Sequence, residues 1–297
     1  MPTAVRKTKT HADYTDLITK LKDIPTLPVV AIRVNDLINN PNSTGAQIAE
    51  VLKKDQVLTA KVLRLVNSSY YSIPGGVTDV QRALAFLGFN TLAQLVLGVS
   101  VFSVFEDKQV NGFSMNEFWR HALGTAICSE MLAKRIKYPK PEEAFTCGLL
   151  HDIGKLGLHE VDRTMLLAIY EETKNKNCSF VDVEKEWEMP SHSYLGELIA
   201  IKWGLPQSIR MAIRYHHFDV TQMSSILPSV KPVVHTVRLA NAICVKNKFG
   251  HSGDCSDGQI TEDMLAPMKM TEDDVKEIEK QMEKDMDKAS AFLSAYR

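Results

Sequence analysis

The apolar residues of this chain recur every three to four positions in a succession of short segments, and each segment ends at turn residues. In one of the first segments, Val30, Val34 and Leu37 fall on one helical face before Asn40 and Pro41 break the pattern. No run alternates apolar and polar residues over the length that a strand needs. The pattern therefore predicts an all-α fold built from many helices.

The longest apolar stretch, residues 92–105, is compatible with a strand or with a buried helix. Its β-branched residues permit a strand, but its length and the polar Gln94 favour a helix. Gly88 is typical of the end of the preceding helix. Further along, Ser114 and Glu117 form a Ser-x-x-Glu capping box, which predicts the start of another long helix.

Composition argues against nucleic acid, membranes and secretion. The 297 residues include 35 basic and 36 acidic side chains, and the net charge of −1 provides no field for phosphate backbones or anionic lipids. Lys61 and Arg64 share a helical segment, but no basic stripe continues them, so a solvated face is favoured over a DNA-reading helix. The chain does not open with a signal-peptide pattern, and no apolar run approaches the roughly 18 residues of a membrane span.

The five cysteines are scattered without the paired spacing of a metal or disulfide motif. Three of them lie in apolar helical patterns, where a thiol usually acts as a small hydrophobic group. A reducing cytoplasm is therefore the predicted compartment.

The stretch with the most chemical information is GLLHDIGK, residues 148–155. An apolar helix ends there with His151 and Asp152 side by side, and Gly154 is placed to cap it. Adjacent side chains on a helix diverge by about 100°, so both reach one ion only at the helix end. Imidazole and carboxylate groups are common ligands of zinc, iron and manganese, and a carboxylate can bridge two ions. The pair alone also fits a capping or hydrogen-bonded arrangement.

Further histidines occur in segments whose other residues are mostly apolar. They are His121 in FWRHALGTA, His192 in SHSYLGELIA, and His216 and His217 in AIRYHHF. A buried imidazole needs a partner for each nitrogen, so one shared ion explains the group more simply than several separate pairs. His159, His235 and His251 match no motif and are predicted to be structural or surface residues.

The order of these motifs resembles the HD superfamily of metal-dependent phosphohydrolases: a histidine, then His-Asp, then His-x-x-x-Gly, then WGLP and His-His. Its HDOD branch is the closest resemblance, through IPTLP, DQVLTAKVLRLVNSSYY, ALAFLGF and WGLPQSIRMAIRYHH, which span about residues 24–218. The resemblance implies an α-helical domain of bacterial signal transduction, in a family whose members have mostly lost the catalytic ligands.

The resemblance also implies how the chain is organised. Residues 1–13 lack periodicity and are expected to be a flexible tail. Residues 14–218 then form the HDOD domain, with an N-terminal helical bundle up to about residue 110 and an HD-like part from about residue 111. Residues 219–297 form a helical extension that completes the HD-like core.

By match to the two-metal HD pattern, the resemblance implies two groups of ligands. The first ion would be held by His121, His151 and Asp152. The second ion would be held by Asp152, His192, His216 and His217. The pattern's last ligand is an aspartate, and Asn241 stands in its place. Its uncharged amide is expected to weaken the binding of the first ion. One or two divalent ions are expected, with iron or manganese favoured and zinc compatible.

Asp152 and Lys155 are the residues that the resemblance assigns to catalysis. In related enzymes the lysine neutralises a substrate phosphate, while the structural alternative is a lysine that faces the C-terminal end of the helix dipole. The Gly-Tyr-Pro segment of the cyclic-dinucleotide phosphodiesterases should follow the His-His pair, but FDVTQMSS follows instead. That substrate is therefore not implied.

The sequence thus predicts a cytoplasmic regulatory protein that acts by binding and retains an HD-type metal site. An unidentified signalling protein or small ligand is the expected partner, and neither nucleic acid nor membrane is expected. The alternative is an active metal-dependent phosphohydrolase on a nucleotide or another phosphoester.

Overall fold

The computed structural model describes residues 11–68, 71–105 and 112–294 of the chain, and no strand occurs within these ranges. The predicted all-α fold is confirmed. The N-terminal helices are α1 (His11–Lys20), α2 (Val29–Asn39), α3 (Gly45–Leu52), α4 (Gln56–Val66) and α5 (Val80–Val104). Helix α1 begins before the predicted start at Tyr14, and residues 1–10 of the predicted tail lie outside the described ranges.

Helix α5 forms the centre of this N-terminal bundle, and α2, α3 and α4 pack against it. The backbone leaves the helical region at Gly88, with φ 76° and ψ 172°, so the predicted helix end is confirmed. Residues 92–104 continue as a buried helix in which even Gln94 is only 5% exposed. The interpretation of this stretch as a helix rather than a strand is therefore confirmed.

Helix α5 is also long and apolar enough to cross a membrane, over Val80–Val101. In the fold, however, 56% of that window is buried against the rest of the protein. Gly88 also interrupts the helix within this window. The expectation that no apolar run approaches the length of a membrane span is therefore wrong for this segment, although a mostly buried core helix of a soluble protein passes the same test of length and composition.

The remaining helices follow residue 114. They are α6 (Met115–Arg135), α7 (Pro141–Leu150), α8 (Ile153–Val161), α9 (Arg163–Lys176), α10 (Phe180–Glu186), α11 (His192–Lys202), α12 (Gln207–Tyr215), α13 (Lys231–Lys246), α14 (Glu262–Leu265) and α15 (Glu272–Ser294). Ser114 caps α6 as predicted, because its hydroxyl accepts a hydrogen bond from the Glu117 amide at 3.2 Å. Helices α7, α13 and α15 all pack against α6, which makes α6 the centre of this part.

The two parts share one continuous hydrophobic core. Helix α5 packs against α7, and polar contacts add to this interface: Trp203 Nε1 donates to the Pro25 carbonyl at 3.0 Å, and Asn35 Nδ2 donates to the Gly204 carbonyl at 2.8 Å. The N-terminal bundle thus supports α7 and α11, the helices that carry His151 and His192 at their ends.

Candidate metal centre

The His151–Asp152 pair lies where α7 ends and α8 begins. Gly154 does not cap α7, contrary to the prediction, because it lies inside the first turn of α8. Its role is close packing: a Cβ atom at Gly154 would come within 1.7 Å of the His192 carbonyl oxygen. The glycine therefore lets α8 contact the first turn of α11, and this contact brings His192 to the pair.

The first predicted ligand group comes together in the fold. His121, His151 and Asp152 each offer a ligand atom within 4.8 Å of the others, and His151 Nε2 lies 3.3 Å from Asp152 Oδ2. Asn241, on α13, brings its Oδ1 to 3.0 Å from His121 Nε2. The residue that replaces the pattern's aspartate therefore lies at this group, where it offers an uncharged oxygen.

The second predicted group also comes together, around the other oxygen of Asp152. Asp152 Oδ1 lies 3.2 Å from His192 Nε2 and 3.6 Å from His216 Nε2. His192 Nε2 in turn lies 3.4 Å from His216 Nε2 and 3.1 Å from His217 Nε2. Two nitrogens that each bind one ion at about 2.0–2.1 Å are separated by about 3.0–3.4 Å, so this spacing suits a shared ion.

Hydrogen bonds on the far side of two rings determine which nitrogen faces the centre. His151 Nδ1 lies 2.7 Å from the Gly148 carbonyl, and His216 Nδ1 lies 2.8 Å from the Ile213 carbonyl. Because a carbonyl oxygen only accepts hydrogen bonds, each Nδ1 carries the proton. The Nε2 lone pairs of both rings are therefore directed at the centre, as metal ligation requires.

Glu184 holds the third ring, and sequence reasoning had not identified it. Its carboxylate lies 2.9 Å from His192 Nδ1 and also accepts the His192 backbone N–H at 2.6 Å. The side chain is buried on α10, with 1% of its surface exposed. A carboxylate behind a ligating histidine fixes the ring orientation and raises the basicity of the ligand.

The electrostatics of the centre keep most of these groups in the protonation state of a ligand. Burial lowers the pKa of His121 to about 3 and that of His216 to about 4, and burial also holds the pKa of His217 well below its usual value. Burial opposes ionisation of Asp152, but His151 and Lys155 outweigh it and hold the pKa of the carboxyl well below its usual range.

His192 behaves differently because it lies between two carboxylates. Burial lowers its pKa, but Glu184 and Asp152 outweigh this effect and raise the pKa to about 9. Positive charge is thus favoured at the position where the lone pairs of the second group converge.

Two buried atoms test whether a cation fits. His151 Nε2 and Asp152 Oδ1 are inaccessible to solvent, and no hydrogen bond of good geometry reaches either atom in the described part of the protein, although His192 Nε2 lies 3.2 Å from Asp152 Oδ1. Leaving a buried acceptor unsatisfied costs about 1–3 kcal/mol, more when it is charged, so such groups are normally partnered. Both atoms lie among the other imidazole and carboxylate acceptors of the centre, where a shared cation can compensate them. The His/Asp cluster therefore suggests a divalent metal and fits one chemically.

The sequence profile of the HDOD domain matches residues 24–218, the same span as the resemblance noted from the motifs. The chain belongs to the HDOD family.

Two curated relatives are similar to this HDOD protein in sequence. An uncharacterised protein of Treponema pallidum is 26% identical over 235 residues, which cover 79% of this chain and 44% of the relative. The uncharacterised protein YuxH of Bacillus subtilis is 26% identical over 117 residues, covering 39% of this chain and 28% of YuxH. The chain thus spans less than half the length of either relative.

Solved structures share the fold over nearly the whole chain. A protein of Shewanella amazonensis proposed to be a phosphohydrolase is 26% identical with a TM-score of 0.71, covering 93% of this chain and 97% of its own. An HDOD protein of unknown function from Geobacter sulfurreducens is 22% identical with a TM-score of 0.73, and the match covers 97% of this chain and 98% of the Geobacter chain. A proposed signal transduction protein of Marinobacter aquaeolei is 20% identical with a TM-score of 0.76, and the match covers 97% of this chain and 66% of the Marinobacter chain.

Lys155 of the HDOD domain is part of the centre, but it is fully buried. Its ammonium lies 2.9 Å from Asp152 Oδ2, 2.9 Å from Asp254 Oδ2 and 3.1 Å from Ser252 Oγ. The alternative in which it faces a helix C-terminus is wrong, because Lys155 lies in the first turn of α8. Burial opposes its charge, but the two carboxylates outweigh burial and raise its pKa above the usual value.

Asp254 belongs to a covering loop, residues 250–258, between α13 and α14. Besides Lys155, its carboxylate accepts a hydrogen bond from the Phe180 backbone amide at 2.7 Å. Phe180 begins α10, the helix of Glu184. Asp254 thus connects the covering loop with α8 and α10, and hence with both Asp152 and His192.

Neither Glu184 nor Asp254 carried a signal in the sequence. Glu184 stands among other charged residues in DVEKEWE, and Asp254 lies in a polar loop far from the His-Asp motif. Only the order of the ligands was visible there. Their supporting carboxylates come from segments that meet the ligands only after folding.

Two cavities border the covering loop. One, of about 390 Å³, is lined by residues that include His121, Asn177 and Cys255. The other, of about 150 Å³, reaches His217 and Asn241. Small solutes can therefore approach the centre from either side of the loop.

Proposed function

We propose that this HDOD protein is a signal-transduction module that acts by binding, with a divalent ion held in the second ligand group. The observation that carries the proposal is the convergence of Asp152 Oδ1 with three imidazoles: it lies 3.2 Å from His192 Nε2 and 3.6 Å from His216 Nε2, and His192 Nε2 lies 3.1 Å from His217 Nε2. Three imidazoles and a carboxylate complete a four-ligand site, as in structural metal centres.

Two features favour a binding role over turnover. Asn241 supplies the first group with an uncharged oxygen instead of a carboxylate. Lys155 already has two carboxylate partners, so its charge is compensated without a substrate phosphate. In this role the ion stabilises the junction of α7, α8, α11 and α12, whose surfaces then contact a signalling protein or small ligand.

Elemental analysis of protein purified without added metal tests the metal site. We expect about one equivalent of iron, manganese or zinc, held mainly by the second group. A His192→Ala variant should lose it. The matched control is His235→Ala, which removes another buried histidine on α13, outside both ligand groups. Equal metal content in His192→Ala and the parent protein would contradict the proposal.

A phosphohydrolase is the second candidate, and two observations favour it. The two oxygens of Asp152 face different ligand groups, as a carboxylate that bridges two ions does. The Shewanella protein at 26% identity is also proposed to be a phosphohydrolase. A divalent ion in such a site supplies Lewis acidity toward a phosphoryl group. The chain itself would supply Asp152 and the histidines as ligands, with Lys155 holding Asp152 in place.

Asn241→Asp separates the two candidates. Restoring the carboxylate should strengthen the first group, so a weakened enzyme should gain activity on p-nitrophenyl phosphate or its diester, by about tenfold or more. A binding module should gain metal content without hydrolysing either compound. Activity must also disappear in the Asn241→Asp, His192→Ala double variant, because a contaminating phosphatase would persist there.

A further inference from the structure

Cys178 and Cys255 lie side by side at the edge of the metal centre, although 77 positions separate them in the sequence. The Cys255 amide donates a hydrogen bond to the Cys178 carbonyl at 3.0 Å, and the Cys178 amide donates to the Thr173 carbonyl at 3.2 Å. The Thr173 hydroxyl lies 3.6 Å from Cys255 Sγ. A direct backbone hydrogen bond places two Cα atoms about 5–6 Å apart, within the range that a disulfide spans.

These two thiols are also more exposed to solvent than the other three. Cys128, Cys147 and Cys244 are fully buried in helices, whereas Cys178 and Cys255 are partly exposed. Cys255 additionally lines the cavity of about 390 Å³. A small oxidant in solution can therefore reach this pair without any unfolding.

His251 distinguishes the two sulfurs. Its Nδ1 accepts a hydrogen bond from the Gly253 amide at 3.0 Å, so in the neutral ring the proton lies on Nε2. That Nε2 lies 3.6 Å from Cys255 Sγ and offers it a donor. Since the thiolate is the attacking species, the donor favours Cys255 as the nucleophile. Burial raises the pKa of the Cys178 thiol, which suits a residue that reacts second.

We propose that Cys178 and Cys255 form a redox-sensitive thiol pair that a peroxide converts to a disulfide. The Cys255 sulfur attacks one peroxide oxygen, the O–O bond breaks, and a sulfenic acid and one water form. Cys178 then attacks that sulfur, the S–O bond breaks, and the disulfide and a second water form. The two sulfurs lose two electrons, and the peroxide gains them.

The cross-link would fasten the covering loop to the turn before α10. Asp254, next to Cys255, holds Lys155 and the Phe180 amide, and α10 carries Glu184 behind His192. A disulfide here therefore restrains the loop that separates the two cavities beside the centre. We expect oxidation to slow the exit of a bound ion, a consequence that rests on the proposed metal site.

Peptide mapping of the full chain after hydrogen peroxide treatment tests the pair directly, with or without metal. We expect two thiols to become inaccessible to alkylation, a mass about 2 Da lower, and a linked peptide containing Cys178 and Cys255. Dithiothreitol should reverse all three changes. Cys178→Ser and Cys255→Ser variants should each prevent the link.

The protein offers an internal control in Cys128 and Cys244, whose buried thiols contact each other across α6 and α13. They should remain reduced in the native protein, because a dissolved oxidant cannot reach two buried thiols even though they lie close together. Sulfinic acid at Cys255 without a link, a disulfide between two chains, or preferential oxidation of the Cys128–Cys244 pair would each overturn the proposal.

The consequence for the centre has its own measurement, the rate at which a chelator removes the bound ion. Oxidation should slow removal severalfold in the parent protein and leave the rate unchanged in the Cys178→Ser, Cys255→Ser double variant. An unchanged rate in the linked parent protein would show that the disulfide does not affect the release of the ion, and would contradict this consequence. If the protein binds no metal but forms the disulfide, the proposed function is contradicted and the proposal of a redox-sensitive thiol pair is still supported.

Discussion

At the scale of single residues, the second ligand group depends on a carboxylate that lies behind it. Glu184 fixes the orientation of His192 through a hydrogen bond of 2.9 Å. We predict that Glu184→Gln lowers metal affinity by about 10–100-fold, because the amide carries no charge and makes His192 a weaker base. Competition against a chelator of known affinity measures the change.

The control for this substitution lies on the same helix. Glu186 pairs with Lys176 at the surface, and Glu186→Gln should leave metal affinity within about twofold, because a surface ion pair contributes little. If both variants lose affinity to the same extent, α10 as a whole is disturbed and Glu184 has no special role.

Lys155 is the second residue whose effect can be predicted. It is 0% exposed and is the shared cation between Asp152 and Asp254. Replacing it with methionine removes the cation that these two buried carboxylates share. We predict that Lys155→Met lowers the free energy of unfolding by about 3–5 kcal/mol, measured by urea denaturation of the metal-free protein.

A second substitution distinguishes lost charge balance from lost packing. In the Lys155→Met, Asp254→Asn double variant only one of the two carboxylates that Lys155 neutralised remains, so part of the lost stability should return. A double variant no more stable than Lys155→Met alone would indicate that the methionine packs poorly and that charge is not the cause.

At the scale of helices, the contact between α8 and α11 assembles the centre. Gly154 permits this contact, since a Cβ atom there would come within 1.7 Å of the His192 carbonyl oxygen. We predict that Gly154→Ala pushes the helices apart and abolishes metal binding, with a loss of unfolding free energy of about 2 kcal/mol or more. Calorimetric titration with zinc or manganese measures the binding.

Gly88 provides the comparison because its constraint is different. Its φ is 76°, but a Cβ atom there meets nothing within 4 Å. Gly88→Ala should therefore cost only backbone strain, about 1–3 kcal/mol, and leave metal binding intact. Loss of the metal in both glycine variants would mean that general destabilisation, rather than the position of His192, controls binding.

At the scale of the whole molecule, the ligands of the second group come from the junction of α7 with α8, from α11 and from the end of α12. A metal bound to all of them stabilises only the folded state. At a free concentration about 100 times the dissociation constant, the ion should add about 2.7 kcal/mol to the stability. Removal with a chelator should lower the melting temperature of the parent protein and have no effect on His192→Ala.

The amino-acid sequence by itself determined the fold class and the order of the ligands. Helical spacing and turn residues are local, so the all-α fold and the helix end at Gly88 followed from short windows. The ligands were visible because imidazoles on apolar segments are costly unless they share a partner. Asn241 was identified differently, from the resemblance to the two-metal HD pattern, in which it stands at the position of the last aspartate.

Only the tertiary structure decided what surrounds those ligands. Gly154 was expected to cap a helix, but it permits a contact with His192, about forty positions away, that no local pattern encodes. The burial of Lys155 between two carboxylates, the support of His192 by Glu184 and the meeting of Cys178 with Cys255 arise in the same way. Each depends on segments brought together by core packing, which depends on the shape of the whole chain.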